Sequence, residues 1–332
     1  MAEPVTAPLR VLLVGLGQIG VGYDLQLDEA SIYSHARAFD RHAAYRLAAG
    51  VDGNPDSRAT FTRHYGAPAY ATVEEALAAQ VAVDVLVIAV PTPAHGAVLR
   101  AVLAARQPRA VLCEKPLADS LDEARAMVAA CAGRDVALYV NYMRRSDRAV
   151  IAVAERLRSG AITGPVKGVC WYSKGLRHNG SHFVNLLEYW LGPLAGYQLI
   201  EAGRRWHDDD AEPDVQLRFE RGNVTMLAAR EEAFSHYTIE LVAGNGRLRY
   251  EQGGRLVLWQ AAEAGALAGY RTLAPQAQEL PTGMQRYQWH VADQLAAALA
   301  GQPHVLCDGN AALATLEHVQ QIIDESLGRM SA

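Results

Sequence analysis

The residues whose types and spacing could do chemistry gather at a few points along the chain. Gly15-Leu16-Gly17-Gln18-Ile19-Gly20 has the spacing GxGxxG and follows the apolar run 9–14 directly. Between a strand and a helix, such glycines suit a dinucleotide: the first permits the turn, the second lets backbone approach a pyrophosphate, and the third allows close helix packing. The alternative is a glycine turn with no ligand. Asp52 ends the apolar run 45–51 and could accept ribose hydroxyls. It lies 32 residues beyond Gly20, against the roughly 20 of the fingerprint. The excess predicts an insertion, residues 21–32 with Gly22, Tyr23, Asp24 and Asp28-Glu29, that interrupts the first helix and forms a flap, the helical pattern resuming over 34–39. A carboxylate at Asp52 repels a 2'-phosphate, and Gly53 and Asn54 come next where an Arg would be needed, so NAD(H) is favoured over NADP(H). The competing role for Asp52 is to cap a turn with Asn54 and Pro55.

Two further apolar runs end in unusual residues. Val90-Pro91-Thr92-Pro93-Ala94-His95 closes one and Cys113-Glu114-Lys115-Pro116 the next. Pro91, Thr92, His95, Glu114 and Lys115 therefore join Gln18, Ile19 and the glycines as cofactor-contacting candidates. Only Lys115, Lys167 and Lys174 are lysines among 31 cationic residues. A lysine at a strand end, in a chain that otherwise uses arginine, suggests a compact ammonium donating to a substrate oxygen; chance at a surface turn is the alternative. Downstream, Lys174, Arg177, His178, Asn179 and His182 share one strand-to-helix connection, and Tyr142, Arg144 and Arg145 come after the run 136–140. These are substrate candidates, set against solvated loop charges. His178 and His182 could be an i,i+4 metal pair, but Gly180 interrupts the helix and no third ligand is evident, so no metal is expected. His207-Asp208-Asp209-Asp210 reads as a solvated loop.

These residues need elements to hold them. Runs 9–14, 45–51, 83–90, 110–113 and 136–140 read as strands, most without polar alternation, as in a parallel sheet buried on both faces by crossover helices. From residue 166 the pattern changes to runs 166–172, 197–201, 215–220, 224–230, 237–242, 247–251 and 256–260. Short turns at Arg221-Gly222-Asn223, Gly244-Asn245-Gly246 and Gly253-Gly254 predict antiparallel neighbours there. Helices near 284–300 and 311–327 close the chain. The fold expected is α/β: a doubly wound Rossmann domain over residues 1–145, then an α+β domain over 146–332 with an open, mainly antiparallel sheet.

The glycine fingerprint, Glu114-Lys115-Pro116 and a downstream His at a helix start together resemble the Gfo/Idh/MocA family of NAD(P)-dependent oxidoreductases. The resemblance covers nearly the whole chain, and the EKP triplet is its most specific element. It implies hydride transfer between nicotinamide and a carbinol of a sugar, polyol or nucleotide sugar, with Lys115 near both. His182 falls on the position of the family's acid/base His, while His178 stands where the family has Asp. Asn179 or Ser181 could cap the helix, and a His in its first turn would be favoured as neutral imidazole, able to take the hydroxyl proton. Alternatives are reduction of a non-sugar carbonyl, or a catalytically silent NAD and sugar-binding regulator.

Composition sets the outer limits. The chain has 332 residues, 50% hydrophobic and 20% charged, and a formal net charge of -5, which suits two soluble domains and excludes disorder. With 31 basic against 36 acidic residues there is no excess to neutralise phosphates, so no nucleic-acid partner is expected. The longest apolar stretch, 81–90, carries Asp84 and is far too short for a membrane helix. The first ten residues do not read as a secretory signal. Cys113, Cys131, Cys170 and Cys307 form no CxxC pair, arguing against disulfides and thiolate metal sites, and the chain is placed in a reducing cytoplasm. Leu256-Val257-Leu258-Trp259 puts apolar side chains on both faces of one strand, which predicts a covered outer face: a homodimer or homotetramer through the C-terminal sheet, or cover by the chain's own 261–275 segment.

Overall fold

A computed structural model describes residues 7–207, 209–230 and 234–331. In chain order the elements are β1 Leu9–Val14, α1 His35–Arg41, β2 Tyr45–Val51, α2 Pro55–Tyr65, β3 Ala69–Tyr70, α3 Val73–Ala78, β4 Val85–Ile88, α4 His95–Ala105, β5 Ala110–Cys113, α5 Leu121–Ala132, β6 Ala137–Val140, α6 Arg148–Arg158, β7 Val166–Tyr172 and α7 Ser181–Leu191. They continue with β8 Leu194–His207, β9 Asp210–Phe219, β10 Gly222–Ala228, β11 Thr238–Ala243, β12 Gly246–Glu251, β13 Leu256–Ala264, β14 Arg271–Leu273, β15 Gln278–Leu280, α8 Tyr287–Leu299, β16 Cys307–Asp308 and α9 Gly309–Met330. Helix starts obey local chemistry: Ser34, Asn54, Thr72, Ser120 and Asp147 each accept a first-turn N–H, and Pro55 opens α2 with its fixed φ.

The chain divides into two compact units, the first ending at Ser146 but also containing Gln285–Leu313. Division at 145/146 misses that return: α8 and β16 belong to the first unit, because β16 pairs with β6 and α8 buries Val291, Ala292 and Leu295 in the first unit's core. The first sheet has the order β16-β6-β5-β4-β1-β2-β3. Every pair is parallel except β16 on β6. β4 and β5 are buried along their whole lengths, as expected of strands covered on both faces. The order reverses between β1 and β4, which makes a topological switch point at the carboxyl ends of those strands.

The insertion is built in more tightly than a flap would be. After the glycine turn the chain leaves the helical path and returns at α1. There the N–H of His35 donates to Ile19 O at 3.0 Å and that of Ala36 to Gly20 O at 2.9 Å, so α1 continues the interrupted helix in space. Asp24, fully buried, accepts from Tyr33 N, Ser34 N and the Ser34 hydroxyl at 2.7 Å each, and pairs with Arg37. Val21 and Ile32 are buried as well. Deleting this segment would therefore unpack the first unit.

The second unit holds Asp147–Met284 and the chain from Ala314. Its sheet runs β14-β13-β12-β11-β7-β10-β9-β8, with β15 added beside β13. The sheet is mainly antiparallel, as expected, with antiparallel pairs across each short turn; β7 with β10 is a parallel pair, because the Gly222 turn joins β9 to β10 and β10 then lies alongside the earlier β7. One sheet face packs on Phe183, Leu187 and Trp190 of α7, Val150 and Val153 of α6 and Ile322 of α9. The segment after residue 261 extends the sheet edge through β14, which pairs with β13. On the other sheet face Val169, Trp171 and Val242 stay 38%, 39% and 52% exposed. Val257 and Trp259 face inward and Leu256 and Leu258 are half-buried opposite them, so both faces of β13 are apolar.

Candidate functional site

The glycine turn has the geometry its spacing predicts. Gly15 adopts φ +101°, and a Cβ there would stand 2.4 Å from the Ala89 carbonyl, so only glycine lets β1 turn against the end of β4. At Gly20 a Cβ would meet Gly15 O at 2.1 Å. At Gly17 it would meet no protein atom within 4 Å, leaving an open approach to a backbone N–H. That is the arrangement a pyrophosphate needs, so the residues present fit a dinucleotide. Gln18 is exposed beside this opening, its amide lying over Gly22, and Ile19 packs on the core.

Asp52 sits at the end of β2 and ties the turn to it: Oδ2 accepts Leu16 N–H at 2.8 Å and Oδ1 accepts Asn54 N–H at 2.8 Å. A carboxylate has about four acceptor positions, so two remain for hydroxyls. The turn-capping role and the ribose role are thus compatible. Arg58, six positions on, donates to the carbonyls of Asp52 and Gly53 at 2.7 and 2.9 Å. Inspecting only the residues directly after Asp52 overlooks this cation, which the first turn of α2 brings back to the strand end.

Pro91 is exposed and Thr92 half-buried in the short turn before α4. His95 departs from expectation. It is 1% exposed, with Nδ1 3.1 Å from Leu117 O and 3.3 Å from Cys113 Sγ, and Nε2 3.0 Å from Val90 O. Its ring binds the end of β4 to the segment after β5, and both ring nitrogens already have protein partners. Burial, reinforced by the nearby Glu114 charge, pushes the Cys113 thiol well up, so it stays protonated beside that ring.

After β5, Glu114 and Lys115 are half-buried. Glu114 Oε1 accepts from Asn141 Nδ2 at 2.6 Å and lies 2.8 Å from His35 Nε2. Burial opposes ionisation of Glu114, but the His35 and Asn141 hydrogen bonds and the charges of His35 and Lys115 hold it below the usual carboxylate range. Asn141 also donates to Gln288 Oε1 at 3.2 Å. His35, Asn141 and Gln288 went unnoticed in the sequence because their signal is spatial. Tyr142 is buried, and Arg145 lies half-buried in the next helical turn.

In the second unit the connection before α7 is helical already. Lys174 is left-handed at φ +67°, and Gly175–Gly180 form a turn of π-helix that runs into α7. Gly180 has helical angles and interrupts nothing; His182 is the second residue of α7, but the helical path already begins at Gly175, so it lies two turns into the continuous helix. Neither Asn179 nor Ser181 is the cap: Asn179 Nδ2 donates to Tyr237 Oη at 2.7 Å, and the Ser181 hydroxyl to Arg177 O at 2.7 Å. The caps come from β9. Glu212 Oε1 accepts from Lys174 N and Gly175 N at 2.9 and 3.3 Å, and Asp210 accepts from Arg177 N and His178 N at 3.0 Å each. Two carboxylates thus satisfy N–H groups that a helix start leaves open.

Asp210, expected on a solvated loop, is 5% exposed. Burial raises it above the ordinary aspartate range against the pull of those N–H groups. Asp208, of the same stretch, lies outside the described residues, as do residues 1–6. Arg177, a substrate candidate, is already paired with Asp209 and with Gln320 Oε1 at 2.8 Å, which makes it structural. His178 is exposed and stacks on Trp206 with centroids 5.2 Å apart. His182 is 8% exposed. The helix carrying it is fastened to α9: Asn185 donates to Thr315 at 2.9 Å, Thr315 to Glu188 at 2.5 Å, and His318 Nδ1 lies 2.8 Å from Glu188. Among the described residues no group of His, Cys, Asp or Glu could hold a metal ion, and no helix is long and apolar enough to cross a membrane.

A doubly wound sheet with a glycine cradle at its switch point, in the first unit, defines a Rossmann-type dinucleotide-binding architecture, and the second unit carries an open, mainly antiparallel sheet. Residues 9–142 match the model of the Gfo/Idh/MocA oxidoreductase family, described as an NAD-binding Rossmann fold. An inositol 2-dehydrogenase of Rubrobacter xylanophilus is 32% identical over 168 residues, 50% of this chain and 45% of the relative. A D-apiose dehydrogenase of Paraburkholderia graminis is 40% identical over 147 residues, 44% of this chain and 35% of the relative. The match thus spans less than half the length of either. The WlbA dehydrogenase of Bordetella pertussis, solved with NADH and UDP-GlcNAcA, superposes with TM-score 0.74 at 19% identity, covering 99% of this chain and 98% of that one, which establishes likeness of fold.

Proposed function

We propose that the protein is an NAD-dependent dehydrogenase that moves a hydride between nicotinamide and a carbinol or carbonyl carbon of a sugar, polyol or nucleotide sugar. The observation that carries this reading is the Gly15–Gly20 cradle, open at Gly17, on the same strand edge as Glu114-Lys115. The relatives' names, inositol, apiose and UDP-sugar enzymes, support the substrate class. Asp52 supports NAD(H) over NADP(H), since a 2'-phosphate would meet its carboxylate.

Bound nicotinamide supplies the hydride acceptor or donor. Of the chain's own residues, Lys115 in the first unit is the candidate donor to a substrate oxygen, and His182 in the second is the candidate acid/base, which would take a hydroxyl proton on oxidation and return it on reduction. Lys174, His178, Asn179, Tyr142 and Arg145 remain candidates for substrate contact, and Arg177 does not. Incubation with NAD⁺ and a panel of sugars, polyols and UDP-sugars, monitored at the absorbance of reduced nicotinamide, tests the reading. Turnover of one class supports it; NADH that binds while no panel member or non-sugar carbonyl reacts defeats it.

The exposed Val169, Trp171 and Val242 support an isologous dimer, or a tetramer of such dimers, through the outer sheet face. Light scattering giving a mass that stays near 35.9 kDa as concentration rises would exclude it.

A further inference from the structure

Behind the strand end that carries Lys115 lies a buried polar cluster that the proposed reaction does not itself use. His35, Asn141 and Gln288 are 1%, 3% and 1% exposed, and they come from α1, from the end of β6 and from α8. All converge on one carboxylate oxygen or its donor. Because a carboxylate only accepts, the 2.8 Å contact makes His35 Nε2 the donor to Glu114, next to the Asn141 donor at 2.6 Å. The backbone at this point is fixed too: Glu114 N donates to Ile88 O at 2.9 Å and Asn141 N to Cys113 O at 2.8 Å.

We propose that His35 is a positioning residue for Lys115, acting through Glu114: it holds the carboxylate as a fixed anion at the strand end, so that the next residue is presented as an ammonium. The inference rests on the reading of Lys115 as the donor to substrate oxygen. The charge of Lys115 is among the interactions that keep Glu114 ionised, and that attraction is mutual. Cys113 on its own strand and Tyr287 at the start of α8 also feel Glu114, and burial keeps both neutral. The geometry also gives the insertion a purpose. Residues 21–34 loop out, and α1 resumes on the carbonyls of Ile19 and Gly20 in a register that places His35 against Glu114.

With only three lysines in the chain, each ammonium can be titrated separately. Competitive acylation with acetic anhydride between about pH 7 and 11, read on peptides by mass spectrometry, needs neither cofactor nor turnover. In His35→Leu the buried carboxylate loses a donor and either takes up a proton or turns away. The Lys115 midpoint should then fall by about one pH unit, a tenfold gain in free amine at fixed pH. Glu114→Gln should lower it similarly. His35→Gln, which retains an N–H donor, should leave it near the wild-type value, and Lys167 should not move in any variant. Should His35→Leu fail to fold, Asn141→Ser removes the other donor without adding bulk and should shift Lys115 in the same direction. A Lys115 midpoint unmoved in His35→Leu, or moved equally by His35→Gln, overturns the proposal, as does one unmoved in Glu114→Gln. Full turnover by Lys115→Ala would instead remove the catalytic reading and leave this coupling standing.

Discussion

Replacing Gly17 and Gly20 separately by alanine distinguishes a ligand cradle from a glycine turn that binds nothing. At Gly17 the new methyl meets no protein atom within 4 Å, and the residue is absent from the positive-φ positions, so stability should change by less than about 1 kcal/mol. The same methyl would occupy the approach to the N–H groups that face a pyrophosphate. Losing one or two charge-assisted hydrogen bonds costs about 1.5–3 kcal/mol, or roughly 10–100-fold in affinity. NADH at about 100 times the wild-type Kd stabilises the wild type by about 2.7 kcal/mol. If Kd rises a hundredfold it stabilises the variant by only about 0.4 kcal/mol. At roughly 2–4 °C per kcal/mol, thermal melting should show a ligand shift of about 5–10 °C in the wild type and about 1–2 °C in Gly17→Ala. Gly20→Ala behaves oppositely. Its Cβ would lie 2.1 Å from a backbone oxygen, so the apo protein should lose about 3 kcal/mol or fail to fold. A Gly17→Ala protein with wild-type stability and wild-type NADH shift would refute the cradle.

Lys115→Ala and His182→Ala should each lower turnover about a hundredfold or more while NADH titrations stay close to wild type, and a fully active His182 variant would remove it from the mechanism. Wild type should bind NADH more tightly than NADPH, and Asp52→Ser should narrow the gap; equal wild-type affinities sink the cofactor assignment. Asp210→Ala leaves the Arg177 and His178 N–H groups without their acceptor and should destabilise the second unit by about 1–3 kcal/mol in urea melts, a loss that a solvated loop residue would not cause. Glu114 titrates below its ordinary value of 4.5 when folded, so its contribution to stability is present above that value and is lost as pH falls through the lower folded one. The stability difference between wild type and Glu114→Gln should therefore shrink in acid below about pH 4, and a gap constant with pH would contradict it.

How much could be read from the sequence depends on the range of the interactions that write it. The parallel strands appeared because burial on both faces leaves a local mark, a run of apolar residues such as Val85–Ile88. The cradle is legible because its three glycines fall within six residues directly after an apolar strand, although the close approach that demands Gly15 comes from Ala89. The parallel pairing of β7 with β10 left no mark, since the two strands are separated by α7 and by the β8–β9 hairpin and neither knows its neighbour from its own residues. The return of α8 and β16 to the first unit was hidden for the same reason.

The site residues divide along the same line. Gly15, Gly17, Gly20, Asp52 and Lys115 stand out as candidates because a motif or a rare residue type marks them. His95, Arg177 and Asp210 were misread because a charged or ring-nitrogen side chain beside a turn looks available until its partner is known. Leu117 O claims His95, Asp209 and Gln320 claim Arg177, and the α7 entry claims Asp210. Each partner lies 22 or more positions away, beyond the reach of any local pattern. His35 was hidden twice, once because it reads as the start of an alanine-rich helix and once because its partner is 79 residues on. Buried polar residues at element ends are therefore where sequence reading is weakest and where a folded chain most often keeps its chemistry: their donors must be matched from elsewhere, and the match also fixes the neighbouring functional group.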